Sequence, residues 1–295
     1  MKTLYLDLDG TILYGGTNSS GSPHIETMAE AMKGTEDNFI EEAFGGSYIL
    51  EEDYNKLKEL KESGTRLVVV TARSANRAGR YLNDKIKQLF DVIYMASCLY
   101  KYVPETDEES LCDSEDILEL EKTVEVGRAK LRKILEKYSL EFILGERKYG
   151  ESDCIIVPLS ILNSPTAQYQ QLRTEVLEAG ILIHDFPDVG LIEFCVSKDV
   201  RLSKDKAIEY DRATYNVDYA VCTGDSYVDC EMLKACDAGV FPVTQQVTEA
   251  ISKAGLDTAY FIPARTFIGR NIEFASWLLL DKSITSGAKE DVKNF

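Results

Sequence analysis

Short apolar runs alternate with helix-period segments along most of the chain, and that alternation predicts a parallel α/β sheet. Thr3–Leu8 reads as a buried first strand, Arg66–Val70 as a second rich in β-branched residues, and Asp91–Met95 as a third. Between them, Glu52–Ser63 places Tyr54, Leu57 and Leu60 on one helix face, and Ala75–Leu89 does the same with Tyr81, Leu82, Ile86 and Leu89. The texture changes at Pro104. Residues 104–125 are strongly acidic with no continuous apolar run, and read as a linker and the start of an exposed helix. From 126 to 197 the order is helix (to Tyr138), strands (Leu140–Leu144, Asp153–Val157), helix (Ala167–Ala179), strands (Ile181–His184, Leu191–Val196). That is an α+β grammar, distinct from its flanks.

The flanking grammar then resumes. Helices are expected at Lys204–Tyr210, Val228–Ala235, Val247–Ala254 and Ile268–Leu280, and strands at Tyr219–Cys222, Ala238–Phe241 and Ala259–Ile262. The simplest architecture is a Rossmann-like parallel-sheet core made of residues 1–100 and 197–295, interrupted by an α+β domain at 101–196. No repeat of solenoid type is visible, although the doubled α-β-β is a weak internal echo.

Composition narrows the function classes. The chain has 295 residues, 44% of them hydrophobic and 28% charged, so it can bury a sizeable core and is not a disordered tail. Its 33 Lys+Arg against 50 Asp+Glu give a formal charge of −17, which argues against nucleic acid and anionic membrane surfaces as partners. The longest apolar runs, such as Leu67–Val70 and Trp277–Leu280, are core-sized, and the first apolar stretch is broken by aspartates, unlike a signal peptide. Seven cysteines without a CxxC fit reduced, mostly buried thiols and a cytoplasmic location. Only His24 and His184 are present, and neither has a ligand-spaced cysteine, which argues against structural zinc.

Four strand ends carry candidate chemistry. Asp7-Leu8-Asp9-Gly10-Thr11 follows the first strand; if the chain turns at Gly10, both carboxylates converge, and the plainer alternative is an Asp-Gly turn. Thr71-Ala72-Arg73 ends the second strand, as a phosphate-binding hydroxyl and an anion clamp or as a helix cap with a surface arginine. Gly224-Asp225-Ser226-Tyr227-Val228-Asp229 again sets two carboxylates at a strand-to-helix transition, where helix capping is the alternative. Lys204, near Lys198 and Lys206, opens a further helix and is otherwise a solvated lysine. Taken together, carboxylates, a threonine and a lysine at the carboxyl ends of strands suit Mg²⁺, a phosphate ester and a carboxylate nucleophile.

These motifs, in this order, resemble those of the haloacid dehalogenase superfamily across nearly the whole chain, with the inserted α/β segment resembling the cap of the Cof-type and sucrose-phosphatase-like branch. In that branch the lysine precedes a small residue and an Ala-Leu pair, a register matched best by Lys204-Asp205-Lys206-Ala207-Ile208. The resemblance implies that Asp7 is the nucleophile and a Mg²⁺ ligand. Asp9 is implied as the general acid and then base, with its backbone carbonyl on the metal. Thr71 holds a phosphoryl oxygen, Lys204 neutralises Asp7 and the phosphate, and Asp225 and Asp229 complete the metal site. Gly10, Thr11, Ala72 and Arg73 are implied as substrate-binding neighbours.

The implied activity is a phosphomonoesterase acting on a small phosphorylated metabolite such as a sugar or polyol phosphate, with the cap excluding water. A phosphomutase of the phosphomannomutase type and a non-catalytic protein on the same fold are the alternatives. The chain departs from the branch in two ways. Asp7 and Thr71 lie 64 positions apart, with a surplus at 14–50 that reads as an enlarged flap carrying a helix near Ile25–Met32 and contributing to substrate selection. Val228 stands where the branch often has Asn, and Ser97-Cys98-Leu99 lacks its Asn-Gly-Ala-like turn. Four aspartates and one lysine at one rim are expected to repel a phosphate dianion until Mg²⁺ is bound.

Overall fold

The computed structural model describes residues 1–15, 39–43, 47–73, 82, 84–95, 100–112, 115–138, 143–145, 152–156, 166–186, 191–195, 203–267 and 269–280. The chain divides into two compact units, Met1–Ser110 with Ser203–Phe295, and Leu111–Leu202. The strands are β1 (Lys2–Leu6), β2 (Tyr14–Gly15), β3 (Phe39–Ala43), β4 (Ser47–Leu50), β5 (Arg66–Val70), β6 (Val92–Met95), β7 (Tyr100–Val103) and β8 (Glu108–Leu111). They are followed by β9 (Ile143–Gly145), β10 (Ser152–Ile156), β11 (Leu182–Phe186) and β12 (Leu191–Cys195) in the second unit. β13 (Tyr219–Thr223), β14 (Ala238–Val243) and β15 (Ala259–Pro263) return to the first.

The first unit is built on one sheet in the order β15-β14-β13-β1-β5-β6-β7-β8. β1 is parallel to both neighbours, β13 and β5, and the parallel pairing continues to β6 on one side and to β14 and β15 on the other. β7 runs antiparallel to its neighbour β6. Burial on both faces explains the sequence of the central strands: Leu4, Tyr5, Leu6, Val68, Val69, Val70, Ala220 and Val221 have no exposed surface. The chain leaves β1 toward β5 on one side and β13 lies on the other, so the connections diverge beyond the carboxyl end of β1. A crevice at such a divergence is where open α/β sheets bind ligands.

The helices cover the sheet with their apolar positions. Glu51–Glu62 buries Leu57 and Leu60, and Gln245–Ala254 buries Val247 and Ile251. The latter starts at Thr244, whose hydroxyl accepts from the Val247 amide at 3.3 Å, and stops at Gly255 in the left-handed conformation with φ 66°. Lys204–Tyr215 buries Lys204, Ala207, Ile208 and Asp211, a stripe with helical spacing that mixes charge with apolar surface. The second unit runs helix (Glu115–Leu135), β9, β10, helix (Ala167–Glu178), β11, β12, and its sheet is antiparallel in the order β11-β12-β10-β9. No described helix is long and apolar enough to cross a membrane.

The structure corrects several sequence expectations. The acidic stretch from 104, expected as a linker and the start of an exposed helix, contains edge strand β8 ahead of the helix that starts at Glu115. Charged, half-exposed edge strands carry no apolar run, and Glu108 and Glu109 make β8 one of these. The expected helix Val228–Ala235 is a 3₁₀ turn at Asp229–Lys234, and the expected helix Ile268–Leu280 begins at Asn271, after Gly269 at φ 75°. Of the helix expected at Ala75–Leu89, Asp84–Lys87 is helical, and residues 75–81 and 83 lie outside the described residues. The segment 14–50 contributes a small antiparallel sheet, β2-β4-β3; the helix expected near Ile25–Met32 lies outside the described residues.

Candidate active site

Asp7 is the first residue beyond β1, and its amide extends the ladder by donating to the Thr223 carbonyl at 3.0 Å. That bond fixes it beside the end of β13, from which Gly224 and Asp225 follow. The carboxylates of Asp7, Asp225 and Asp229 are all buried, and one oxygen of each lies within 4.8 Å of the others. Lys204, also buried, donates to Asp7 and, at 2.6 Å, to the Asp229 Oδ1 atom. The other oxygen of Asp229 accepts from the Ser226 amide at 2.8 Å and the Ser226 hydroxyl at 2.6 Å. Asp229 is therefore a bracket between the lysine and the 225–229 loop. The loop folds this tightly because residue 224 is glycine: a Cβ there would collide with the Asp229 side chain.

Three buried carboxylates against one ammonium leave an excess of negative charge. Burial, reinforced by Asp229, raises the Asp7 carboxyl to about 7 against the opposing pull of Lys204. Burial, Asp229 and Asp7 raise Asp225 well above the carboxylate range. For Lys204 burial works against the charge, but Asp229 and Asp7 outweigh it and keep the ammonium above its ordinary value. Such a site favours a cation. The donors are hard carboxylate oxygens, which fit Mg²⁺.

The remaining sequence candidates surround this cluster differently. The Asp9 carboxylate is half-exposed and outside the cluster; both its oxygens accept from Arg73, one from Nε at 2.6 Å. Arg73, expected to clamp an anion from solution, thus clamps a carboxylate of the chain itself. Thr71, buried at the end of β5, donates its amide to the Tyr94 carbonyl, while its hydroxyl accepts from the Arg73 amide at 3.1 Å. Its own proton is left to donate. Thr11 is buried and its hydroxyl lies 3.5 Å from Asp7 Oδ2. Gly10 donates its amide to the Leu13 carbonyl at 2.8 Å, so that donor is already used within the turn. Ala72 is exposed. Lys206 pairs with Glu209 on the outer side of its helix, and Lys198 lies outside the described residues.

No protein-family model matches the chain, and no curated protein does. Solved structures do. A protein of Thermotoga maritima aligns with a TM-score of 0.57 at 14% identity, covering 92% of this chain and 97% of that one. A haloacid dehalogenase-like hydrolase from Bacteroides thetaiotaomicron gives 0.53 at 13%, covering 92% and 98%. The sucrose-phosphatase of Synechocystis, solved with sucrose and phosphate, gives 0.51 at 13%, covering 94% and 97%. The chain has the haloacid dehalogenase-like fold.

Within that fold, three supporting groups stand beside the catalytic and metal-binding candidates. Asn271, fully buried, donates its side-chain amide to the Thr11 carbonyl at 2.9 Å and ties the last described helix to the turn after β1. Ser226 makes the two bonds to Asp229 described above. Asp211 is bound by Tyr5, Tyr94 and Arg66. The usable sequence signals were an arginine at the head of an otherwise apolar buried strand and an aspartate on the apolar face of the lysine helix. Each requires a partner of opposite charge.

Proposed function

We propose that this protein is a Mg²⁺-dependent phosphomonoester hydrolase that works through an aspartyl-phosphate on Asp7 and acts on a small metabolite of the sugar or polyol phosphate class. The observation that carries this reading is the buried Asp7–Lys204–Asp229 bridge with Asp225 beside it, at the carboxyl end of β1. The likeness to the Synechocystis sucrose-phosphatase supports the substrate class. The buried Cys222 and Cys230 thiols, both raised by desolvation, fit a reducing compartment such as the cytoplasm.

In this reading an Asp7 oxygen attacks phosphorus as the ester P–O bond breaks, and the leaving oxygen takes a proton from Asp9. Asp9 then removes a proton from the water that attacks the acyl phosphate, which frees Asp7 and inorganic phosphate. Both Asp9 oxygens are occupied by Arg73 N–H groups here, so this pair opens before either transfer. Lys204 stays protonated and offsets the charge of Asp7 as a phosphate dianion approaches. The Thr71 hydroxyl donates to a phosphoryl oxygen. Asp7 and Asp225 would hold Mg²⁺ by side chains and Asp9 by its backbone carbonyl, while Asp229 orients the lysine and the ion's water. The bound ion would neutralise charge on the transferring phosphoryl group. The α+β unit is read as the cap and the 14–50 segment as a flap contributing to selection.

Release of phosphate from a panel of sugar phosphates, nucleotides and cofactor phosphates tests the reading. Release that requires Mg²⁺, stops with chelator and favours sugar or polyol phosphates is expected. No release from any ester would favour a non-catalytic protein, and an isomerised sugar phosphate with little free phosphate would indicate a mutase.

Gly10 supplies a sharper test of the metal site. It sits at φ 76°, and a Cβ there would run into the Asp225 carboxylate. Gly10→Ala is expected to weaken Mg²⁺ binding by about tenfold or more, because the clash displaces the Asp225 carboxylate, a proposed ligand, and tenfold corresponds to only about 1.4 kcal/mol. Titration calorimetry showing wild-type affinity would mean that the turn relaxes without moving Asp225.

A further inference from the structure

The helix that carries Lys204 holds a second buried charge that the proposed chemistry does not use. Asp211 has no exposed surface and lies two turns beyond Lys204 on the same buried face as Ala207 and Ile208. A carboxylate in that position needs partners, and it has them from three adjacent strands. Tyr5 of β1 donates to Oδ2 at 2.9 Å and Tyr94 of β6 donates to Oδ1 at 2.8 Å. Arg66 of β5 reaches both oxygens, Nε to Oδ2 at 3.3 Å and a terminal nitrogen to Oδ1 at 2.7 Å. The Arg66 guanidinium also lies 3.8 Å above the Tyr215 ring at the far end of the helix. At the near end, Ser203 makes no side-chain cap bond to the helix; its hydroxyl goes to Asp205.

These contacts fix the helix in both rotation and axial shift, because four donors on three strands meet one carboxylate. The Lys204 ammonium needs that precision, since it bridges two buried carboxylates. Turning a helix by about 10° moves a group at about 6 Å from its axis by about 1 Å. A displacement of about 1 Å in a reacting assembly costs up to about 100-fold in rate.

We infer that Asp211 is a positioning residue, whose bonds to Tyr5, Arg66 and Tyr94 hold the lysine helix so that the Lys204 ammonium stays between Asp7 and Asp229. Its effect on turnover rests on the phosphomonoesterase reading; the geometric claim stands without it.

The test compares Asp211→Asn and Tyr94→Phe with Lys204→Ala and with the Asp211→Asn/Lys204→Ala double variant. Turnover of para-nitrophenyl phosphate is measured in saturating Mg²⁺, well below each melting temperature. For Asp211→Asn, kcat is expected to fall about tenfold or more while KM stays within about twofold. Tyr94→Phe, which removes one hydroxyl and little volume, loses less. The double variant is no slower than Lys204→Ala alone, because both act through the same ammonium. A lowered melting temperature with unchanged kcat per folded molecule, or losses that multiply in the double variant, would overturn the inference.

A crystal structure of Asp211→Asn reads the geometry independently of turnover. The 2.6 Å contact between Lys204 Nζ and Asp229 is expected to break, and its retention would overturn the inference. Failure of the phosphomonoesterase reading looks different: the contact breaks in the crystal, but wild type and Lys204→Ala turn over no phosphoester.

Discussion

Asp7→Asn is expected to lower turnover of any phosphoester substrate by roughly a thousandfold or more, which corresponds to about 4 kcal/mol or more of lost transition-state stabilisation. The amide keeps the shape of the side chain but is a poor nucleophile and a poor ligand for a hard cation. The fold should survive. Asp7 is held in place by its amide bond to the Thr223 carbonyl, which the substitution leaves intact. Removing its charge also relieves the repulsion with Asp229 that helps to raise its pKa. The informative comparison is therefore kcat alongside the melting temperature: activity lost and stability retained. Retained activity would remove Asp7 from the chemistry.

The second large effect concerns stability in the absence of metal. Asp7 has a pKa of about 7 in the folded chain, above its unfolded value of about 4. Between those two values the folded state binds the proton more tightly than the unfolded chain does, so stability falls as pH rises through that window. Asp225 is shifted in the same direction by burial, Asp229 and Asp7. In chelator, the first unit should therefore melt at a lower temperature at pH 8 than at pH 5 as far as these groups contribute. Asp225→Asn should raise the pH 8 value by about 2–4 °C per kcal/mol relieved and flatten the slope.

Adding Mg²⁺ to wild type at about 100 times its dissociation constant is expected to return about 2.7 kcal/mol, and the variant should forfeit most of that gain. A variant that melts lower in chelator would mean that Asp225 is not strained, and one that gains as much from Mg²⁺ as wild type would mean that it is not a ligand. On the proposed reading, the cost of the negative cluster and its capacity to hold a metal are two aspects of one arrangement.

What the sequence made legible follows from burial. β1, β5 and β13 lie in the sheet centre and are buried on both faces, so their residues are mostly apolar or aromatic, and their limits could be read to within two residues. For the same reason an aspartate or threonine directly beyond such a run stood out. β8 could not be read, because an exposed edge strand containing Glu108 and Glu109 has the composition of a loop. The 3₁₀ turn at Asp229–Lys234 has the periodicity of a helix, but Asp229 bends back to Ser226, a local bond that periodicity does not encode.

Partner choice was the other gap. Arg73 was legible as an anion clamp, yet nothing in its neighbourhood along the chain indicated that Asp9, 64 positions away, would be the anion. Asp211 and its three partners are likewise separated by 117 to 206 positions and meet only once the sheet order is known. Strand ends announce which side chains face the crevice; the pairings among them come from topology.

The proposed function requires a covalent phosphoryl group on Asp7, which can be captured directly. On the proposed reading, Asp9→Asn is expected to slow the second step by removing the base that activates water. This variant, mixed with Mg²⁺ and a substrate from the phosphoester panel, is quenched in acid and mapped by peptide mass spectrometry. One phosphoryl group is expected on the Asp7 peptide, absent when Asp7→Asn is combined with it. Phosphate release without any phosphorylated Asp7, or a phosphoryl group on another residue, would contradict it.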